Sequence, residues 1–195
     1  GEDFFTEGVP KARAARGLTI ALGGNYYTLD NYGCIVLAVT TGNRTIKIYP
    51  EGTVRGVEFV VQDATGTALE HTFTAVVTSS TETQTIPFDT LDTPKAAAFN
   101  AAQAVGYILD RQWSSGAAAL TVIVSVPTGD RSTYSSSSDT INLLVGKEYG
   151  KFTIGHEMGH WAMDQLTDFP MTDDDHGALT IESQRTALSE GFGTC

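Results

Sequence analysis

His156, Glu157 and His160 stand in the run His-Glu-Met-Gly-His, and on a helix positions 156 and 160 lie one above the other on one face. Two imidazoles so placed reach a single tetrahedral ion such as zinc. Glu157 then flanks the open coordination position, where a carboxylate takes a proton from an activated water and passes it to a leaving group. The chemistry implied is metal-assisted hydrolysis. At this chain's own His and Glu frequencies the pattern arises by accident in roughly four of a thousand sequences of this length, so chance is a weak rival. The plain alternative is two histidines satisfied on a helix surface.

A catalytic zinc site uses three protein ligands plus water. The metzincin pattern would place a glycine and a third histidine downstream at fixed spacing, but positions 163 and 166 hold Met and Leu, which excludes that branch. The remaining candidates for a third ligand are Asp164, Asp168, Asp173, Asp174, Asp175, His176, Glu182 and Glu190. Within this set, the segment 186–194, Thr-Ala-Leu-Ser-Glu-Gly-Phe-Gly-Thr, resembles the second zinc-binding helix of gluzincin metallopeptidases. There a glutamate followed by glycine, an aromatic or aliphatic residue and a small residue supplies the ligand.

The resemblance spans residues 151 to 194. It implies a zinc peptidase in which His156, His160 and Glu190 hold the metal and Glu157 is the general base. Glu190 follows His160 by 30 positions and Glu182 follows it by 22, and both separations suit a helix, loop, helix excursion. Glu182 comes just after Thr180-Ile181, near an expected helix start, where the macrodipole favours a carboxylate without any metal. Gluzincins normally continue with a helical subdomain that closes the cleft, whereas this sequence stops at Cys195. The resemblance therefore implies a catalytic core cut short at its C-terminus, or a cleft of different shape.

Around such a centre, Asp164 or a backbone carbonyl would orient an imidazole from behind. His176, Tyr149 and Tyr134 are candidate donors to an oxyanion, and spacing alone selects none of them. Asp173-Asp174-Asp175 offers carboxylate oxygens to calcium, but without the spacing of a calcium loop it reads as a solvated turn. His71, inside an expected strand, reads as a satisfied sheet residue.

These side chains need a frame. From Lys151 to Thr167 there is no proline, and a helix is expected, with Phe152, Met163 and Leu166 as its apolar stripe. Gly155 and Gly159 weaken helix propensity and imply a close neighbour. Upstream, Thr93 as N-cap and Pro94 at the first helical position start another helix, which buries Phe99, Ala102, Val105 and Leu109 and ends near Trp113. Leu120–Val126 is expected as a strand, 127–138 as a polar loop, and Thr140–Val145 as the strand leading into the zinc helix. That order resembles a zincin core, in which an edge strand beside the cleft binds the substrate backbone. Leu120–Val126 and Thr140–Val145 are the candidates for that edge.

Between residues 17 and 90 the period is that of strands. Leu18–Leu22, Cys34–Val39, Thr45–Tyr49, Val57–Val61, His71–Val77 and Thr85–Phe88 are separated by turn residues such as Gly23-Gly24-Asn25 and Gly42-Asn43. The fold class expected is α+β: a β-rich, sandwich-like part over 1–90, then a zincin-like catalytic core over 91–195.

Composition narrows the partners. The 195 residues are 41% apolar, enough for a real core, and the net charge is −11, which repels nucleic acid and anionic membranes. No apolar run approaches the roughly 20 residues of a membrane span, and the chain begins Gly-Glu-Asp with no signal segment. Two cysteines allow one disulfide, Cys34 to Cys195, which an oxidising compartment permits. Asn43-Arg44-Thr45 is a glycosylation sequon. Together with low lysine and abundant Ser, Thr and Gly, these features lean toward secretion. The expected function is a secreted zinc peptidase acting on peptides or proteins, and its competitor is a non-enzymatic surface or adhesion module whose metal only braces the fold.

Overall fold

Residues 14–78, 93–114, 116–129 and 131–167 are described by a computed structural model. Strand β1, Leu18–Leu22, and β2, Asn25–Thr28, form a hairpin. Their turn, Gly23-Gly24, has φ of 60° and 85°, the pair of positive values that a two-residue connection between twisted strands requires. The long strand β3, Gly42–Val54, turns through Arg55-Gly56 into β4, Val57–Gln62. Strand β5 is His71–Val77. Helix α1, Thr93–Gln112, precedes β6, Ala118–Val126, β7, Thr133–Ser135, and β8, Thr140–Leu144, and helix α2 is Lys151–Leu166.

The strands form one sheet in the order β2-β1-β3-β4-β6-β8-β7, with β5 also paired to β3. The β3 strand pairs with β5 through Ile48 and with β4 from Glu51 onward. Pro50 falls between the two ladders, and opposite it the register with β1 shifts between Leu18 and Thr19. A residue with no N–H fits only at such a break.

Two parallel pairings, β4 with β6 and β6 with β8, carry the sheet from the N-terminal strands into those that precede α2. Among the described residues the protein is thus mixed α+β, mostly sheet with two helices. A sandwich-like arrangement is expected of residues 1–90, but the strands described there lie in a single sheet, because the open edge of β4 pairs with β6 instead of leaving them to close on themselves.

Alanines let α1 lie close on this sheet. Ala97, Ala98, Ala101, Ala102 and Val105 are buried with Phe99 and Leu109, and the helix packs across β3, β4 and β6. All four residues of the expected α1 stripe are in the core. Leu18–Leu22 and His71–Val77 match their expected limits. Cys34–Val39 does not form a strand: Ile35 and Leu37 turn partly inward, but the segment joins no ladder, and Asp30 Oδ1 instead accepts the backbone N–H groups of Tyr32 and Cys34, each at 2.8 Å. The expected strand Thr85–Phe88 lies outside the described residues.

The largest difference lies at the end of the sheet nearest α2. Both candidate edge strands are interior, β6 between β4 and β8, and β8 between β6 and β7. Within the segment expected to be a polar loop, Thr133–Ser135 pairs antiparallel with β8 and becomes the edge on that side among the described residues. Three residues are too few to carry a period.

Candidate metal centre

Helix α2 leaves β8 through a tight connection in which Lys147 N–H donates to Leu144 O and Gly150 N–H to Lys147 O, both at 2.9 Å. Its buried row is Ile154, Met158 and Trp161, spaced by four and three as a helix face requires. Trp161 lies against Trp113 of α1 with ring centroids 4.7 Å apart, and its indole N–H donates to Ala119 O at 3.2 Å. This row replaces the expected stripe: Met163 is buried, but Phe152 and Leu166 are exposed. A Cβ at Gly155 would stand 3.8 Å from Ile108 Cδ1, an ordinary contact, so packing does not demand the glycine expected to mark a close approach there.

With the buried row turned to the core, His156 and His160 share the adjoining face. Their Nε2 atoms are 3.1 Å apart, and the rings meet nearly perpendicular, 87° between planes and 4.6 Å between centroids. Two nitrogens each about 2.05 Å from zinc at the tetrahedral angle would stand about 3.3 Å apart. The separation of the two nitrogens is therefore close to what a shared ion requires. A hydrogen bond between the two nitrogens suits the same separation. His160 and Glu157 are each 6% exposed, and Phe152 stacks over His156 at 6.1 Å.

Among the described residues no group of three or more His, Cys, Asp or Glu side chains is arranged to hold a metal. The candidate third ligands Asp168, Asp173, Asp174, Asp175, His176, Glu182 and Glu190 lie outside the described residues, as does the acidic turn considered for calcium. So does Cys195, the expected partner of the exposed Cys34.

Asp164 is engaged by a different group from the one expected. Its Oδ2 accepts the Tyr134 hydroxyl at 2.8 Å, so it ties α2 to the edge strand β7 instead of orienting an imidazole. The same hydroxyl lies 3.0 Å from Asp139 Oδ1, which also accepts from Gln165 Nε2 at 2.8 Å. This cluster has no local sequence signal, because Tyr134, Asp139 and Asp164 come from three elements. Burial, followed by the hydrogen bonds to Asp164 and Asp139, pushes the Tyr134 hydroxyl well above its ordinary range. The phenol is thereby kept as a donor, and its hydrogen is committed to carboxylates rather than to an oxyanion.

A pH dependence follows. A folded-state pKa raised above the unfolded value gives stability that is present below about pH 10 and lost as pH rises through the folded value. Tyr134→Phe should cost about 1.5–3 kcal/mol at neutral pH, the range for hydrogen bonds to charged groups. In denaturant titrations the gap between parent and variant should narrow above pH 10. A gap that stays constant to pH 11 would show that the hydroxyl does not latch β7 to α2.

Comparison of the chain with known protein families, curated proteins and solved structures finds no match in any of the three.

Proposed function

We propose that this protein is a secreted zinc-dependent peptidase of gluzincin type. The observation that carries the reading is the convergence of His156 and His160, Nε2 to Nε2 at 3.1 Å, on a helix that also holds the buried Glu157. His156 and His160 would hold the zinc together with Glu190, the ligand implied by the gluzincin resemblance. When bound, zinc supplies Lewis acidity, which draws charge from a substrate carbonyl and eases loss of a proton from a nearby water. Glu157 takes that proton as base and returns it to the leaving nitrogen as acid. Trp161, fixed by its indole hydrogen bond to β6, sets the rotation of α2 and so the direction in which both imidazoles face. The charge of −11 disfavours nucleic acid as substrate. Among the described residues no helix is long and apolar enough to cross a membrane.

Metal analysis tests the site. The purified chain should carry one zinc, and His156→Ala and His160→Ala should each lose it while the far-ultraviolet spectrum stays helical. Unchanged zinc in both variants would remove the basis of the reading.

A further inference from the structure

The connection between β8 and α2 encloses a carboxylate that the proposed peptidase chemistry does not use. Glu148 is 1% exposed, and its backbone carbonyl is anchored by Asn100 Nδ2 of α1 at 2.8 Å. Among the described residues its side chain has a single hydrogen bond, from Ser125 Oγ to Oε1 at 3.4 Å, and no donor reaches Oε2. Ser125 lies near the carboxyl end of β6 with φ of 58°, a left-handed value that a non-glycine residue adopts only where its surroundings enforce it. The register with β8 shifts there: Ile123 pairs with Asn142 and Val126 with Leu144, so Val124 and Ser125 together face one residue. The bulge aims a hydroxyl oxygen at a buried carboxylate.

A carboxylate removed from water without a counter-charge is costly, and buried charges are paired or coordinate a cation. Among the described residues no ion pair reaches Glu148; the exposed pairs Lys47–Glu70 and Arg55–Asp110 are remote from it in the sheet and helix order. From this geometry we infer that Glu148 and Ser125 form a site for a monovalent alkali cation beneath the β8–α2 connection. One carboxylate and one neutral hydroxyl balance a single positive charge, whereas a divalent ion would leave a net charge buried. Oxygen donors of this kind suit a hard cation. The site uses neither histidine nor Glu157, and its test does not depend on the zinc reading.

Thermal unfolding of the full chain, at fixed zinc and fixed ionic strength, tests it with sodium chloride and potassium chloride against tetramethylammonium chloride. In the parent, sodium or potassium should raise Tm saturably by about 5 °C, and in Glu148→Gln the three salts should give one Tm. If Glu148→Gln does not fold, Ser125→Gly, which relieves the left-handed backbone and removes the hydroxyl, should raise the half-saturating cation concentration several-fold. The proposal is overturned if the parent has the same Tm in all three salts, as a carboxyl neutralised by a proton would give. An equal salt response in parent and Glu148→Gln, or an unchanged half-saturation in Ser125→Gly, overturns it equally.

Discussion

Glu157→Gln should retain zinc and lose peptide hydrolysis by about 100- to 10,000-fold, the range that a positioned acid–base group contributes. The substitution conserves shape but leaves an amide, which cannot take a proton from water. Glu157 is 6% exposed on α2 and adjoins His156 in sequence, and the isostere keeps its volume, so packing should be disturbed little. Equal zinc content and equal helicity in parent and variant then assign the loss to chemistry. Hydrolysis at close to the parent rate would remove Glu157 from the role of base. The competing idea of an adhesion module makes the opposite prediction, with no hydrolysis in either protein.

What the sequence disclosed, and what it hid, follows from the range of the forces involved. The stripe Phe99, Ala102, Val105 and Leu109 was legible because helical burial repeats along one segment, and all four are in the core. Strands β1 and β5 were legible for the same local reason. The pairing of β4 with β6 was not, since their parallel register joins residues about 60 apart, Val57 to Ala118, and a period in one strand says nothing about its neighbour. The apolar stripe of α2 was misread because Phe152 and Leu166 satisfy a hydropathy pattern while Ile154, Met158 and Trp161 satisfy the packing. A tryptophan paired with Trp113 and hydrogen-bonded to Ala119 fixes the rotation, and neither partner is near it in sequence.

The candidate metal centre divides along the same line. The spacing of four between His156 and His160 is set within one helix, and their nitrogens do meet. Asp164 has the same spacing from His160, yet the Tyr134 hydroxyl takes it, because a short edge strand brings that phenol across. Glu148 carried no sequence signal at all: it is an ordinary acidic residue in a turn until the bulge at Ser125 and the anchor at Asn100 enclose it.

Zinc titrations of Glu190→Gln and Glu182→Gln, run side by side, address the ligand least determined by local spacing. Glu190 is preferred on its gluzincin-like surroundings, Ala187 to Gly193, and on glycines that would let its segment approach α2 closely. Glu182 has an explanation that needs no metal, since the sequence around it is that expected of a helix start, where a carboxylate is favoured. Even partners that only orient a zinc ligand are worth about 10- to 100-fold in affinity, so replacing a ligand itself should weaken binding by more than about 100-fold. Replacing a solvated helix carboxylate should change stability by about 0.5 kcal/mol or less and leave zinc affinity alone. The expected result is loss of zinc in Glu190→Gln and parent-like titration in Glu182→Gln. Loss in Glu182→Gln alone would exchange the ligand and keep the chemistry, because His156, His160 and Glu157 would still surround the ion. Parent-like titration in both would assign the third position to an aspartate or His176, and the gluzincin resemblance would fail while the histidine pair remained.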